Sequence, residues 1–155
     1  HKLSRNLWWC WNYEATELFE MIDPLLWEKS EKNPIRLLEN ITFEQYKELE
    51  KDLVFIEKYQ KVMNSFNKYM SFTDHKEGQQ IAYFSMEYGL HESIKIYSGG
   101  LGVLAGDYLK QASDDNVNMI GIGLLYRYGY FTQNLSISGD QLATYNPHNL
   151  KLYCL

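Results

Sequence analysis

Two apolar runs of strand length, "IAYFSM" at 81–86 and "VNMIGIGLLY" at 117–126, flank a glycine cluster and a segment with helical spacing. This order constrains the chain most. Strand, loop, helix and strand in succession specify a βαβ unit with parallel strands and, by default, a right-handed crossover. Neither run alternates polar with apolar residues, which predicts strands covered on both faces. The predicted helix runs from about Leu101 to Ser113. The loop before it lies where ligands of open α/β sheets bind, beyond the carboxyl ends of the strands.

That loop is unusually bare. Gly99, Gly100 and Gly102 fall within four positions of "YSGGLG". Glycine is costly to order, so such a cluster implies a close approach of backbone to something. A helix start carries amides without intrahelical partners and a partial positive charge, so an anion can bind there. The alternative is a tight turn with close helix–sheet packing. A P-loop is excluded, since no Lys follows Gly102 or Gly106. Gly100, Gly102 and Gly106 read as GxGxxxG, but a dinucleotide site also needs an acid at the end of the next strand. That strand end offers only Tyr126, Arg127 and Tyr128. The stretch "YRYGYFTQNLSIS" that follows is expected as a hairpin or a loop on the same rim, and "SGD", 138–140, as a turn.

The first half has a different grammar. Leu3, Leu7, Trp8, Trp11, Leu18, Phe19 and Ile22 recur at helical spacings. Asn12, Asp23 before Pro24, Asn33 before Pro34, and Asp52 are predicted N-caps, and Thr42 with Gln45 matches a capping box. Four or five helices are expected from about Leu3 to about Phe72. In the last of them Leu53, Ile56, Met63, Phe66 and Met70 are expected to face the core. The tryptophans Trp8, Trp9 and Trp11 are read as core rather than as a sugar platform. The polar stretch 73–80 is the expected boundary between a helical region, 1–75, and the first, incomplete part of an α/β domain, 76–155.

Composition excludes some functions. A formal charge of −5 and the lack of any basic patch argue against a nucleic-acid partner. No apolar run reaches the ~18–20 residues of a membrane span. Cys10 and Cys154 form no disulfide framework, and a reducing, cytoplasmic setting is the default. The four histidines lack metal-ligand spacing, so no metal is expected. A hydrophobic fraction of 45% permits a sizeable core. A chain that starts at His1 and stops in "KLYCL" reads as a piece of a longer protein.

The residues also carry a resemblance. "IAYFSMEYGLHESIKIYSGGLGVLAGDYLKQASD", followed by "IGIGLLYRYGYFTQ", resembles the start of the catalytic region of the α-glucan phosphorylases, the glycogen and starch phosphorylase family. The preceding "NLWWCWNYEATELFEMIDPLLWEKSEKNPIRLLENI" resembles the helical extension of its short bacterial and archaeal branch. The resemblance runs to about Gln133; residues 134–155 carry nothing over.

It implies a GT-B architecture with Rossmann-like domains, and phosphorolysis of α-1,4-glucan (glycogen, starch, maltodextrin) to glucose 1-phosphate. It implies pyridoxal phosphate as cofactor, on a lysine outside this chain. The implied partners are α-glucan, orthophosphate and glucose 1-phosphate, with a homodimer or higher oligomer as the parent and allosteric control in the family. Gly99, Gly100, Leu101 and Gly102 would contact the substrate phosphate and glucosyl unit through backbone amides. Glu87, Tyr126 and Tyr128 would lie at the active cleft. No catalytic role is assigned within residues 1–155, which alone are expected to be inactive. Gly100 is expected to tolerate a side chain least, and Gly106 to be a packing position. Two other readings remain open. One is a glycogen or starch synthase-type GT-B glycosyltransferase, although Lys95 lies further from the glycines than that pattern requires. The other is a non-catalytic α-glucan-binding or regulatory module.

Overall fold

A computed structural model describes residues 1–72 and 79–148. The expected boundary near residue 75, the tail from 149 onward, His75 and Cys154 lie outside the described residues. The chain divides into two compact units, within 1–76 and within 77–150, and each is described by itself.

The first unit is helical and owes its punctuation to side-chain caps. Two short 3₁₀ segments, Leu3–Arg5 and Leu7–Trp11, precede five α-helices. These are α1 (Tyr13–Ile22), α2 (Pro24–Lys29), α3 (Pro34–Glu39), α4 (Phe43–Leu49) and α5 (Leu53–Ser71). Every predicted cap is in place. Asn12 accepts from the Ala15 amide, Asp23 from Leu26, and Asn33 from both Ile35 and Arg36. Thr42 and Gln45 form the reciprocal capping box, and Asp52 accepts from Val54 and Phe55. At the start of the chain, where helix was expected from about Leu3, there are two 3₁₀ segments. Asn6 is extended, and its side chain takes the Trp8 amide, a local bond that competes with helix propagation.

The core of this unit is aromatic. Trp8 and Trp9 are 5% and 1% exposed and Trp11 packs against the same cluster, so these tryptophans are packing residues as expected, and Trp27 joins them. Trp9 meets Phe19 edge-on at 5.9 Å and Trp27 at 6.2 Å, while Phe19 stacks on Trp27 at 6.0 Å. From α5, Val62 and Phe66 enter this cluster, with Phe55, Met63 and Tyr69 packed against it. The expected stripe is thus shifted. Leu53 is 81% exposed, because it lies two residues, or about 200° of helix, from Phe55. On the outside, Lys58 and Lys61 of α5 pair with Glu17 and Glu14 of α1.

The second unit holds the predicted unit of strand, helix and strand. Strand β1 (Ile81–Phe84) pairs in parallel with β2 (Met119–Ile122), with Ile81 opposite Met119 and Phe84 opposite Ile122. Between them runs α6 (Gly100–Asp114). Both strands are shorter than the apolar runs that predicted them. The expectation that they are covered on both faces fails: Ile81, Phe84, Ile120 and Ile122 are all exposed. Among the described residues this sheet has two strands, too few for cover on both sides. The helix buries a narrow face of small residues, Gly102, Ala105, Gly106 and Ala112. Beyond its C-cap Asp115, Asn116 takes the left-handed conformation (φ +51°), and the Val117 amide donates back to the Ala112 carbonyl at 2.8 Å. Beyond β2, β3 (Thr132–Leu135) and β4 (Gln141–Thr144) form an antiparallel hairpin. Its turn contains the predicted Ser138–Asp140, with Gly139 at φ +87°.

Candidate functional site

The site is built outward from Tyr88. This residue follows β1 and is 5% exposed. Its hydroxyl reaches the carbonyl of Tyr83 and, at 3.4 Å, that of Ile122. One phenol thus ties the carboxyl ends of both parallel strands. Burial pushes its pKa up, which keeps it a donor.

The neighbours of Tyr88 hold the glycine loop. The Gly89 amide donates to the Gly102 carbonyl at 2.7 Å, so the segment after β1 lies against the first turn of α6. The approach is close enough to exclude side chains. A Cβ on Gly106 would stand 2.2 Å from the Gly89 carbonyl oxygen, and one on Gly102 would stand 2.6 Å from the Tyr97 Cβ. Glu87 closes the arrangement. Its Oε2 accepts a hydrogen bond from the Ser98 amide at 3.1 Å, just before Gly99.

Gly99 adopts φ +75°, a conformation that favours glycine, and is the N-cap of α6. No side chain caps this helix. In that it differs from α1 to α5, which all have a capping side chain. The chain's own backbone and side chains do not make Gly100 intolerant of a Cβ. A Cβ there meets no atom within 4 Å, and its φ lies outside the positive range. The steric demand falls instead on Gly102 and Gly106, which face the 87–89 segment. Only an occupant of the open space itself would make Gly100 intolerant.

Glu87, Tyr126 and Tyr128 are brought together by the fold. They line one cavity of about 250 Å³, together with Lys95, Tyr97 and Tyr130. The Tyr126 hydroxyl donates to the Met86 carbonyl at 3.0 Å. The Arg127 guanidinium lies 5.6 Å from the Tyr128 ring centroid. Gly99, Gly100, Leu101 and Gly102 are not in this lining; they adjoin it through Ser98, which is. A larger cavity of about 380 Å³ in the helical unit is lined mainly by apolar residues such as Leu18, Phe19 and Met63, and by no predicted site residue.

Lys95, Tyr97 and Tyr130 were not singled out as site residues in the sequence. Their signal was faint: one exposed cation, and aromatics on both sides of Gly129. The chain comes close at that glycine, where a Cβ would stand 2.8 Å from the Lys95 carbonyl oxygen and 2.3 Å from His148 Nε2. The backbone of 147–148 holds the segment from outside, through the Tyr128–Pro147 bridge and the His148 amide on Arg127 O at 2.9 Å. Burial, and then the positive charge of Lys95, lower the pKa of His148.

This arrangement can do two things chemically. Bare amides at an uncapped helix start can donate to an anion. Next to them, a cavity with a carboxylate, an ammonium group and several tyrosines can take a polyhydroxylated ring by hydrogen bonds and aromatic contact. Among the described residues no cluster of three or more His, Cys, Asp or Glu is placed to hold a metal, and no helix is long and apolar enough to cross a membrane.

Comparison with known proteins gives the following. The family described as "Protein of unknown function (DUF3417)" matches residues 1–94, more than half of the chain. The chain is 43% identical over 160 residues to a maltodextrin phosphorylase of Thermococcus litoralis, covering 97% of this chain and 19% of that protein. It is 42% identical over 143 residues to a glycogen phosphorylase of Aquifex aeolicus (90% and 20%), and 40% over 169 residues to one of Mycobacterium tuberculosis (99% and 20%). The chain therefore spans about a fifth of the length of these relatives. No solved structure gives a significant match.

Proposed function

We propose, on the premise that this chain belongs to the DUF3417 family and is similar almost throughout to proteins named phosphorylases, that it is part of an α-glucan phosphorylase. The whole protein would cleave α-1,4-glucan with orthophosphate. The glycosidic C1–O bond breaks, a C1–O bond to phosphate forms, and the leaving 4-hydroxyl takes up a proton. The observation that carries this reading is the uncapped start of α6 on Gly99–Gly102, beside a cavity lined by Glu87, Tyr126 and Tyr128.

In this reading the amides of Gly100, Leu101 and Gly102 donate to the phosphate and the glucosyl oxygens. The open space over Gly100 leaves room for that anion. Donors held in place before the reaction stabilise developing charge most, because nothing has to reorient. Tyr126 and Tyr128 present ring faces and edges to the sugar. The parallel β1–α6–β2 unit supports the start of a Rossmann-like GT-B domain, with residues 1–75 as a separate helical region.

The implied cofactor, pyridoxal phosphate, would supply proton transfer through its phosphate group. The residues described here do not fit it. Lys95 is the lysine of the cavity, and the described residues lining it and the space beside it include the carboxylates Glu87 and Glu92 and no arginine. The lysine that carries the cofactor would belong to the remainder of the longer protein. A cytoplasmic, oligomeric parent completes the proposal.

The test is glucose 1-phosphate release by the full-length protein, loaded with cofactor, from maltodextrin and orthophosphate. Phosphate-dependent release is the expected result. Glucan extension from ADP-glucose without phosphorolysis would overturn the reading.

A further inference from the structure

We propose that Glu87 is a positioning residue for the glycine loop, acting on a bound anion through the backbone of Ser98–Gly102 and not by touching that anion. The proposal rests on the phosphate-loop reading given above and names what holds that loop in place.

A loop of three glycines cannot hold itself. Its residues have few torsional restraints and few side chains, so amides aimed at an anion need support from elsewhere. Two backbone contacts supply part of it at Gly89: the amide bonded to Gly102 O, and the carbonyl close beside Gly106. Both act on the helix, downstream of the turn. Upstream, the turn is held by the Glu87 carboxylate, whose Oε2 accepts from the Ser98 amide at 3.1 Å. The same oxygen would be 3.1 Å from a Cβ on Gly102, and the Glu87 Cβ 3.2 Å, so this side chain fills the space beneath the first helical turn.

Glu87 is itself firmly set. Ser85 Oγ donates to its carbonyl at 2.7 Å, and the next residue is the buried Tyr88 that ties the two strands. The sheet therefore reaches the loop through one carboxylate. A carboxylate beside an anion site would repel the anion if it faced it. Bonded to a backbone amide, it instead orients the peptide units that follow.

The experiment uses the full-length protein with Glu87→Ala and Glu87→Gln. The Gln amide oxygen keeps an acceptor at the same reach without the charge. Two readouts are taken: steady-state kinetics with orthophosphate and maltodextrin varied separately, and backbone hydrogen exchange over residues 95–104. For Glu87→Ala we expect the KM for orthophosphate to rise about tenfold or more, that for maltodextrin to change less than about threefold, and exchange at Ser98 to accelerate about tenfold or more. For Glu87→Gln both readouts should return to within about threefold of the parent.

A Gln variant as impaired as the Ala variant, with normal exchange, would mean that the charge itself meets the anion, and would overturn the proposal. Unchanged exchange in Glu87→Ala would overturn it as well. Should the parent protein show no phosphorolysis while exchange responds as expected, the phosphate reading fails and the hold of Glu87 on the loop stands.

Discussion

Gly100 and Gly106 lie six residues, about 1.7 turns, apart on one helix and make opposite demands. Gly106 faces the Gly89 carbonyl, where an added Cβ would stand at 2.2 Å. Gly106→Ala is expected to destabilise the folded chain by roughly 1–3 kcal/mol through overpacking, read as a lower denaturation midpoint with an unchanged m-value. Gly100 has open space and a φ outside the positive range. Gly100→Ala should leave stability unchanged or raise it by up to about 1 kcal/mol. On the proposed phosphorolysis, the same change in the full-length protein should lower kcat/KM for orthophosphate by roughly 10²–10³, because the added Cβ takes the space of the anion and moves it out of reach of an amide donor. A Gly100→Ala enzyme with normal phosphate kinetics would mean that the loop is a packing turn. His148 supplies a pH dependence at the same scale. Its pKa is lowered in the folded chain, by burial first and by Lys95 second. The unfolded chain then binds more protons, so the contribution of His148 is present above its ordinary value, near 6.5, and is lost as pH falls through the lowered folded value. Replacement by Gln should flatten the stability profile in that window, measured by urea denaturation at several pH values.

At the scale of the element, the helices of the first unit stop and start where side chains take backbone amides. Asn33 accepts two of them, from Ile35 and Arg36, and is 6% exposed. Asn33→Ala should cost about 1–2 kcal/mol, the upper part of the usual range for a cap, because no water replaces the lost acceptor. Thr42→Ala, at an exposed capping box, should cost about 0.5–1 kcal/mol. Equal losses at both positions would show that burial does not set the difference. These caps were legible because a cap needs only a polar side chain at a fixed offset from a helix start. The burial of α5 was less legible. Two apolar stripes can be drawn on that helix, and only docking against Trp8, at 5.5 Å from Phe66, selects the one with Val62 and Phe66. The same limit hid the start of the chain, where Asn6 competes with a helix that spacing alone would continue.

At the scale of the molecule, the two units differ in how much of their apolar surface they cover. The first has a closed cluster that includes Trp9, Trp27, Leu37 and Phe66, all 2% exposed or less. Residues 1–75 produced alone are expected to fold, with helical circular dichroism and a cooperative thermal transition. The second unit leaves Phe84, Leu101 and Leu104 at 61–70% exposure. Residues 76–155 produced alone are expected to lack a cooperative transition and to self-associate, as bare sheet edges and apolar helix faces do. Sedimentation and thermal melts of the two pieces check this. A monomeric, cooperatively melting second piece would contradict it.

The sequence by itself determined the helix caps of the first half, the strand–helix–strand order with its parallel pairing, and the glycine loop at the start of α6. All of these follow from local chemistry: caps, proline positions, glycine and the spacing of apolar side chains act within a few residues. Tertiary structure alone decided three other things. It chose Gly102 and Gly106, not Gly100, as the crowded positions, because crowding depends on where the 87–89 segment crosses the helix. It gave Glu87 an amide of the loop as partner, eleven residues away. And it gathered Lys95, Tyr97, Tyr126 and Tyr128 around one cavity. Contacts between segments so separated have no period in the sequence, since their geometry is set by how two elements pack and not by the residues of either one.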